Sequence, residues 1–131
     1  TLTISGDDLR KLFKYYKFSR NKRLQYALNY SKFCKYITDQ NINVIISTVS
    51  LFHKVRNWNR SNIKNYLEIY IKADIDQLIK KKKKFFYKGS YKNIIGKNIK
   101  AEFPRKPHIT IENNFKKSLE TLSKELLNKI W

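Results

Sequence analysis

Apolar positions along this chain fall into short β-branched runs, separated by longer stretches in which they recur every three or four residues. Runs of the first kind suit pleated strands and stretches of the second kind suit helices, so the pattern reads βαβαβαβα. Thr1-Leu2-Thr3-Ile4-Ser5 predicts a strand over 1–5. Gly6 permits a sharp exit, and Asp7 or Asp8 caps a short basic helix over Leu9–Tyr16. Lys17-Phe18-Ser19-Arg20 breaks the pattern, with Ser19 as the next cap. From Arg23 to about Thr38, the residues Ala27, Tyr30, Cys34 and Ile37 form one stripe, the face of a helix that packs on a sheet.

The run Ile42 to Ser50 has the near-continuous apolar character of a buried parallel strand, placed over 43–49. The polar segment His53–Lys64 follows, with Arg56 and Arg60 four apart and on one face of a helix, where they can hold phosphates. A third strand spans 67–72, and Asp74-Ile75-Asp76-Gln77 opens a helix with a capping-box pattern. The lysine run Lys80–Lys84 ends that helix as a solvated terminus, phosphate clamping being the less favoured reading. Residues 89–107 include Gly89, Ser90, Gly96, Pro104 and Pro107, lack an apolar period, and read as a long mobile loop of the kind that forms lids. A last strand over 108–112 precedes a closing helix whose inner face is Phe115, Leu119, Leu122, Leu126 and Ile130.

Composition narrows the function classes. At 131 residues the chain is one domain, residues 1–131, with 41% hydrophobic positions and therefore a real core. Its formal charge of +19 suits anionic partners, yet 23 of its 29 basic residues are lysines, and Lys, Asn and Ile fill 52 positions. That bias reads as a solvated basic surface, because recognition of bases or phosphate forks would sooner enrich arginine. Nucleic acid is therefore not the expected partner. The single Cys34 excludes an internal disulfide, and His53 and His108 are too distant in sequence to suggest a zinc cluster. A reducing cytoplasm fits, and Val44-Ile45-Ile46 is far short of the roughly 20 residues of a membrane span.

The chemistry concentrates at the end of the first strand, where Ser5-Gly6-Asp7-Asp8-Leu9-Arg10 delivers two carboxylates and an arginine. In open α/β sheets ligands bind just outside such strand ends, so an acid there meets a metal ion or a substrate hydroxyl. An Asp after a strand serves equally often as a helix cap, and the local residues leave both roles open.

Five motifs in order give the chain a resemblance to the adenylylsulfate kinases, P-loop enzymes that phosphorylate the ribose 3'-hydroxyl of adenylyl sulfate. Ser5-Gly6-Asp7-Asp8-Leu9-Arg10 resembles the family's Asp-Gly-Asp-Asn-Val-Arg, and Phe18-Ser19-Arg20-Asn21-Lys22-Arg23 is similar to its Phe-Ser-x-x-x-Arg. Ser47-Thr48-Val49-Ser50-Leu51-Phe52 followed by Arg56 resembles its Ser-Phe-Ile-Ser-Pro-Tyr and later Arg. Lys84-Phe85-Phe86-Tyr87-Lys88 falls where it has Lys-Gly-Leu-Tyr-Lys, and Gly96-Lys97-Asn98 with Glu102-Phe103-Pro104 follows its Gly-Ile-Asp and Tyr-Glu-x-Pro.

The resemblance implies a three-layer P-loop NTPase-type fold, a parallel sheet with helices on both faces, and an ATP- and Mg²⁺-dependent kinase acting on a small nucleotide. It implies Asp7 beside the substrate hydroxyl and Mg²⁺, Arg10 and Arg23 on the anionic substrate, and Phe18 stacked on its base. Ser50 sits at the mouth of the second strand, and Phe52 and Lys84 join the substrate-binding set. Lys81, at the lid-arginine position, faces the ATP phosphates together with Arg56. Ile94 stands where the family has its second stacking Phe, and Tyr26 replaces an Asn of the substrate pocket. Those departures favour another nucleotide over adenylyl sulfate, and cytidine diphosphoramidate, the substrate of relatives in capsule synthesis, suits the altered pocket. The rival reading is a catalytically inactive basic protein on the same fold that holds RNA or another polyanion. A homodimeric assembly is left open.

No Gly-x-x-x-x-Gly-Lys-Ser/Thr occurs in the chain, whose only glycines are Gly6, Gly89 and Gly96. In the family that loop and its strand come first, so the expectation is a phosphate-loop unit of roughly 30 residues before Thr1, the length of one βα step. The expected sign of it is a gap of ~9 to 10 Å, one strand wide, between an opening strand pair and a later pair.

Overall fold

The helix with the clearest apolar stripe organises the structure. The computed structural model describes residues 1–49, 52–80 and 99–131. Its elements are β1 (Leu2–Ser5), α1 (Gly6–Leu12), α2 (Arg20–Thr38), β2 (Val44–Ser47), α3 (His53–Asn62), β3 (Ile69–Lys72), α4 (Ile75–Lys80), β4 (Ile109–Glu112) and α5 (Leu119–Ile130). On α2 the residues Ala27, Tyr30, Cys34 and Ile37 are all buried, as their spacing requires. Tyr30, Cys34 and Ile37 close over Ile4 of β1 and Leu9 of α1, and Ala27 packs instead with Phe52, Val55 and Ile99. Helix α2 therefore joins two core clusters, one under the first strand pair and one under α3. Burial pushes the Cys34 thiol up to about 11.

Both strand pairings are parallel. Strand β1 pairs with β2, Leu2 opposite Val44 through Ser5 opposite Ser47, and β3 pairs with β4, Ile69 opposite Ile109 through Lys72 opposite Glu112. The two pairs are not hydrogen-bonded to one another among the described residues. Ile45 and Ile46 of β2 and Ile69 and Ile71 of β3 are exposed, so the apolar character that predicted buried strands is present without cover.

Several boundaries differ from the sequence reading for local reasons. Helix α1 starts at Gly6, because the Ser5 hydroxyl accepts the Asp7 N–H at 3.2 Å and caps it ahead of either aspartate. It stops at Leu12, short of Tyr16, where Lys14 takes a left-handed φ of 54°. Ser19 caps α2 as expected, accepting the Lys22 N–H at 3.4 Å. Asp74 accepts from the Asp76 and Gln77 amides at 2.7 and 3.1 Å and opens α4. Helix α5 begins later than the periodicity suggests, since Phe115 sits at φ 62° and Ser118 provides the cap. On α5 the residues Leu122 and Leu126 are half-buried while Leu119 and Ile130 face solvent, so the expected five-residue inner face is narrower. Residues 99–103 of the expected mobile loop are anchored: Ile99 is buried in the second core cluster and Glu102 is ion-paired. Residues 89–98 of the lid reading lie outside the described residues.

Candidate active site

The carboxyl end of β1 meets the carboxyl end of β2 through Gly6. A Cβ at Gly6 would lie 3.1 Å from Thr48 Cγ2 and 3.2 Å from the Ser47 carbonyl oxygen, so a residue without a side chain fits the junction best. That close approach sets the first turn of α1 at the strand ends, and Asp7 follows directly. The Asp7 carboxylate is 71% exposed and 3.6 Å from Arg10 Nη2, one turn on. Four of the residues singled out in the sequence come together here. The Arg10 and Arg23 guanidinium carbons stand 5.5 and 5.1 Å from the centroid of the Phe18 ring, and Arg23 Nε donates to the Phe18 carbonyl at 3.1 Å. Phe18 lies between α1 and α2, so each helix delivers one cation to the same aromatic residue.

Behind this corner is a tyrosine group. Tyr15 and Tyr26 stack with centroids 4.0 Å apart and planes 5° apart, Tyr30 lies 6.0 Å from Tyr15, and Asn29 Nδ2 donates to the Tyr15 hydroxyl at 2.9 Å. Burial, reinforced by the charge that a neighbouring tyrosinate would carry, raises the Tyr30 hydroxyl above its ordinary value. Tyr26 thus belongs to a packed stack, which explains an aromatic side chain at a position where the family has a polar one.

Two residues assigned to ligands occupy other places. Phe52 is 1% exposed, packed with Ala27 and Val55 under the Arg20 guanidinium, so it supports the site from inside the core. Arg56 is buried, with Nε 3.9 Å from Glu68 Oε1 and Nη2 donating to the Glu102 carbonyl and to His53 Nδ1. Its guanidinium ties α3 to Glu68 and to the Glu102 backbone. Ser50, Lys81, Lys84 and Ile94 lie outside the described residues.

Sequence reasoning missed an ionic clasp built by acids far along the chain. Glu102 takes Arg20 Nη2 on Oε1 and the His53 N–H on Oε2, both at 2.6 Å. Those contacts hold its carboxyl below the usual range, the His53 amide foremost. Glu68, 6% exposed, takes Arg60 Nη2 at 2.7 Å while the Glu68 N–H donates to His108 Nδ1 at 2.8 Å. The available signal was scarcity: with 10 acids against 29 bases, an acid beside a proline-rich turn has cations competing to pair with it. A basic concavity of about 260 Å³ lined by His53, Arg56, Arg60 and Arg105 lies beside the clasp. A wider groove of about 720 Å³ runs past the ends of β3 and β4, where Tyr70 and Phe103 face Lys72 and Asp74.

Parallel strand pairs flanked by helices, with acid and arginines at the mouth of the first strand, are the α/β architecture of the P-loop NTPases. The Mycobacterium tuberculosis APS kinase CysC, solved with AMPPNP and APS, superposes with a TM-score of 0.84 over 99% of this chain and 79% of its own, at 17% identity. The family model for adenylylsulphate kinase matches residues 1–112, and the chain belongs to that family of ATP-dependent kinases. It is 32% identical over 131 residues to a cytidine diphosphoramidate kinase of Campylobacter jejuni, covering 97% of this chain and 76% of that relative. It is 32% identical over 118 residues to the adenylyl-sulfate kinase of Clostridium acetobutylicum, covering 86% of this chain and 59% of that one. Among the described residues no helix is long and apolar enough to cross a membrane.

Proposed function

We propose that this chain carries the acceptor side of a kinase that moves the γ-phosphoryl group of ATP to a hydroxyl of a small anionic nucleotide, in the cytoplasm where ATP is drawn. Adenylyl sulfate and cytidine diphosphoramidate are the candidate acceptors. The 32% identity across nearly the whole chain to a cytidine diphosphoramidate kinase supports the second. The observation that carries the reading is the gathering of Arg10 and Arg23 on the Phe18 ring, with Asp7 at the end of β1 facing Arg10.

The acceptor oxygen attacks the γ-phosphorus, the bond to the ADP oxygen breaks, and the hydroxyl proton leaves toward the nearest carboxylate. Asp7 orients that hydroxyl and receives its proton, a positioning task more than a strong-base task, because the transferring group is loosely bonded in the transition state. Arg10 and Arg23 hold the anionic end of the acceptor so that the hydroxyl faces Asp7. Mg²⁺ fits the donor set in a limited sense. It is commonly held by one or two carboxylates with substrate phosphates and water, and Asp7 is an exposed carboxylate of that kind, although no group of three or more His, Cys, Asp or Glu side chains gathers among the described residues. Asp7 would hold the ion, whose positive charge would be available to the transferring phosphoryl group. No Gly-x-x-x-x-Gly-Lys-Ser/Thr loop occurs in this sequence.

The test is coupled ADP release by the protein with each of the two nucleotides, for wild type and Asp7→Asn. Turnover with at least one nucleotide, lost at least 100-fold in Asp7→Asn with circular dichroism unchanged, is expected. Full turnover in Asp7→Asn removes Asp7 from the mechanism. Absence of turnover alongside RNA binding that weakens steeply with salt replaces the kinase reading by polyanion binding.

A further inference from the structure

We infer that the basic concavity between α3 and the turn at 104–107 binds a small tetrahedral oxyanion, a phosphate or sulfate group, at a site that shares no residue with the acceptor corner. The inference does not rest on the kinase reading. His53, Arg56 and Arg60 line the concavity from α3, and Arg105 and Lys106 line it from the turn. Among the described residues, the side chains of Arg105 and Lys106 have no ion pair or hydrogen bond, and the carboxylate paired with the other two cations is that of Glu68, 2.7 Å from Arg60 and 3.9 Å from Arg56. The Glu102 carboxylate is taken by Arg20 and the His53 amide, and Arg56 receives only its carbonyl. Four cations therefore gather on one paired carboxylate, and a dianion brings the local charge closer to balance. Burial pulls the Arg56 guanidinium below its ordinary value, Glu68 opposes that pull, and the charge of Arg60 adds to it.

The walls are fixed without a ligand. Pro104 and Pro107 bracket Arg105 and Lys106, Arg60 Nη2 donates to the Lys106 carbonyl at 2.9 Å, and the Glu68 N–H donates to His108 Nδ1 at 2.8 Å just beyond the turn. Arg56 also sets the tautomer of His53. A guanidinium only donates, so His53 Nδ1, 2.7 Å from Arg56 Nη2, accepts, and the ring proton stays on Nε2 as a donor. The volume of about 260 Å³ lies under the roughly 300 to 1,000 Å³ of pockets that enclose a drug-sized molecule, and suits one oxyanion with its water.

Isothermal titration of inorganic phosphate, sulfate and ribose 5-phosphate at constant ionic strength tests the site in wild type, Arg105→Ala, Lys106→Ala, Arg105→Glu, Arg23→Ala and Lys124→Ala. Saturable phosphate binding is expected in wild type, weakened roughly 10-fold by Arg105→Ala or Lys106→Ala and abolished by Arg105→Glu. Both turn residues are exposed, so these variants should unfold at the wild-type temperature in the absence of phosphate, and added phosphate should raise Tm in wild type but not in Arg105→Glu. Ribose 5-phosphate binding more tightly than phosphate through the same residues supports the site and identifies an esterified group as its ligand; equal or weaker binding supports it with the free ion. Affinity that falls in Arg23→Ala but not in Arg105→Ala places the anion at the acceptor corner and overturns the inference. An equal loss in Lys124→Ala, which removes a distant charge on α5, or no saturable binding to wild type overturns it as well.

Discussion

Replacing Gly6 by alanine should cost activity out of proportion to stability. The new Cβ would sit 3.1 Å from Thr48 Cγ2 and 3.2 Å from the Ser47 carbonyl oxygen, where carbon pairs ordinarily rest at about 3.5 to 4.0 Å. The junction between β1 and β2 must open by a few tenths of an ångström, an overpacking cost of about 1 to 3 kcal/mol. Removing a glycine from the first helical position returns roughly 0.5 to 1 kcal/mol, so the net loss is on the order of 1 kcal/mol. Asp7 is bonded to the displaced residue, and since a misplacement of about 1 Å is worth roughly 100-fold in rate, a shift of this size predicts about a tenfold fall in kcat. Urea denaturation and coupled turnover measure the two effects side by side. Adding Thr48→Ser removes the Cγ2 that makes the tighter contact and should restore most of both. A Gly6→Ala protein more stable than wild type with unchanged kcat, or one that Thr48→Ser does not help, would refute the argument that this junction sets Asp7.

The clasp gives two more expectations. Glu68→Gln leaves the buried Arg56 guanidinium without its carboxylate and should lower stability by about 3 kcal/mol, read as a shifted urea midpoint at constant slope; a loss under about 0.5 kcal/mol would show that the pair is not holding β3 to α3. For Glu102, whose carboxyl is held low first by the His53 amide and then by Arg20, the stabilisation is full above the unfolded carboxylate value and disappears as pH falls through the folded one. The stability difference between wild type and Glu102→Gln should therefore be largest near neutrality and close below about pH 4, and a difference that persists undiminished at pH 3 would exclude this linkage.

What the sequence revealed was what repeats locally. The α2 stripe is legible because four residues at helical spacing need only their own backbone to share a face. The strands are also legible, but each is shorter than its β-branched run, because pairing extends only where the neighbouring strand lies alongside. Ser5 displaced Asp7 as the cap of α1 since the chain enters the helix one residue earlier than the apolar period suggests. Asp7, Arg10, Phe18 and Arg23 were recognisable because they fall within 17 residues, on two neighbouring helices and the segment that joins them. Phe52 and Arg56 show the limit: residue type and order suggested a surface role, but burial depends on what arrives from elsewhere, here Ile99 and Glu102. Partners more than 40 residues apart leave no periodic trace.

The exposed isoleucines have a consequence for the protein in solution. Ile45 and Ile46 of β2 and Ile69 and Ile71 of β3 are apolar surface through which copies of a chain can associate. Copies that each carry +19 repel one another before such surfaces meet, and the repulsion weakens as the Debye length falls from about 10 Å at 0.1 M salt to about 3 Å at 1 M. The lysine excess thereby acts as a colloidal guard over those side chains, effective in dilute buffer and progressively disarmed by salt.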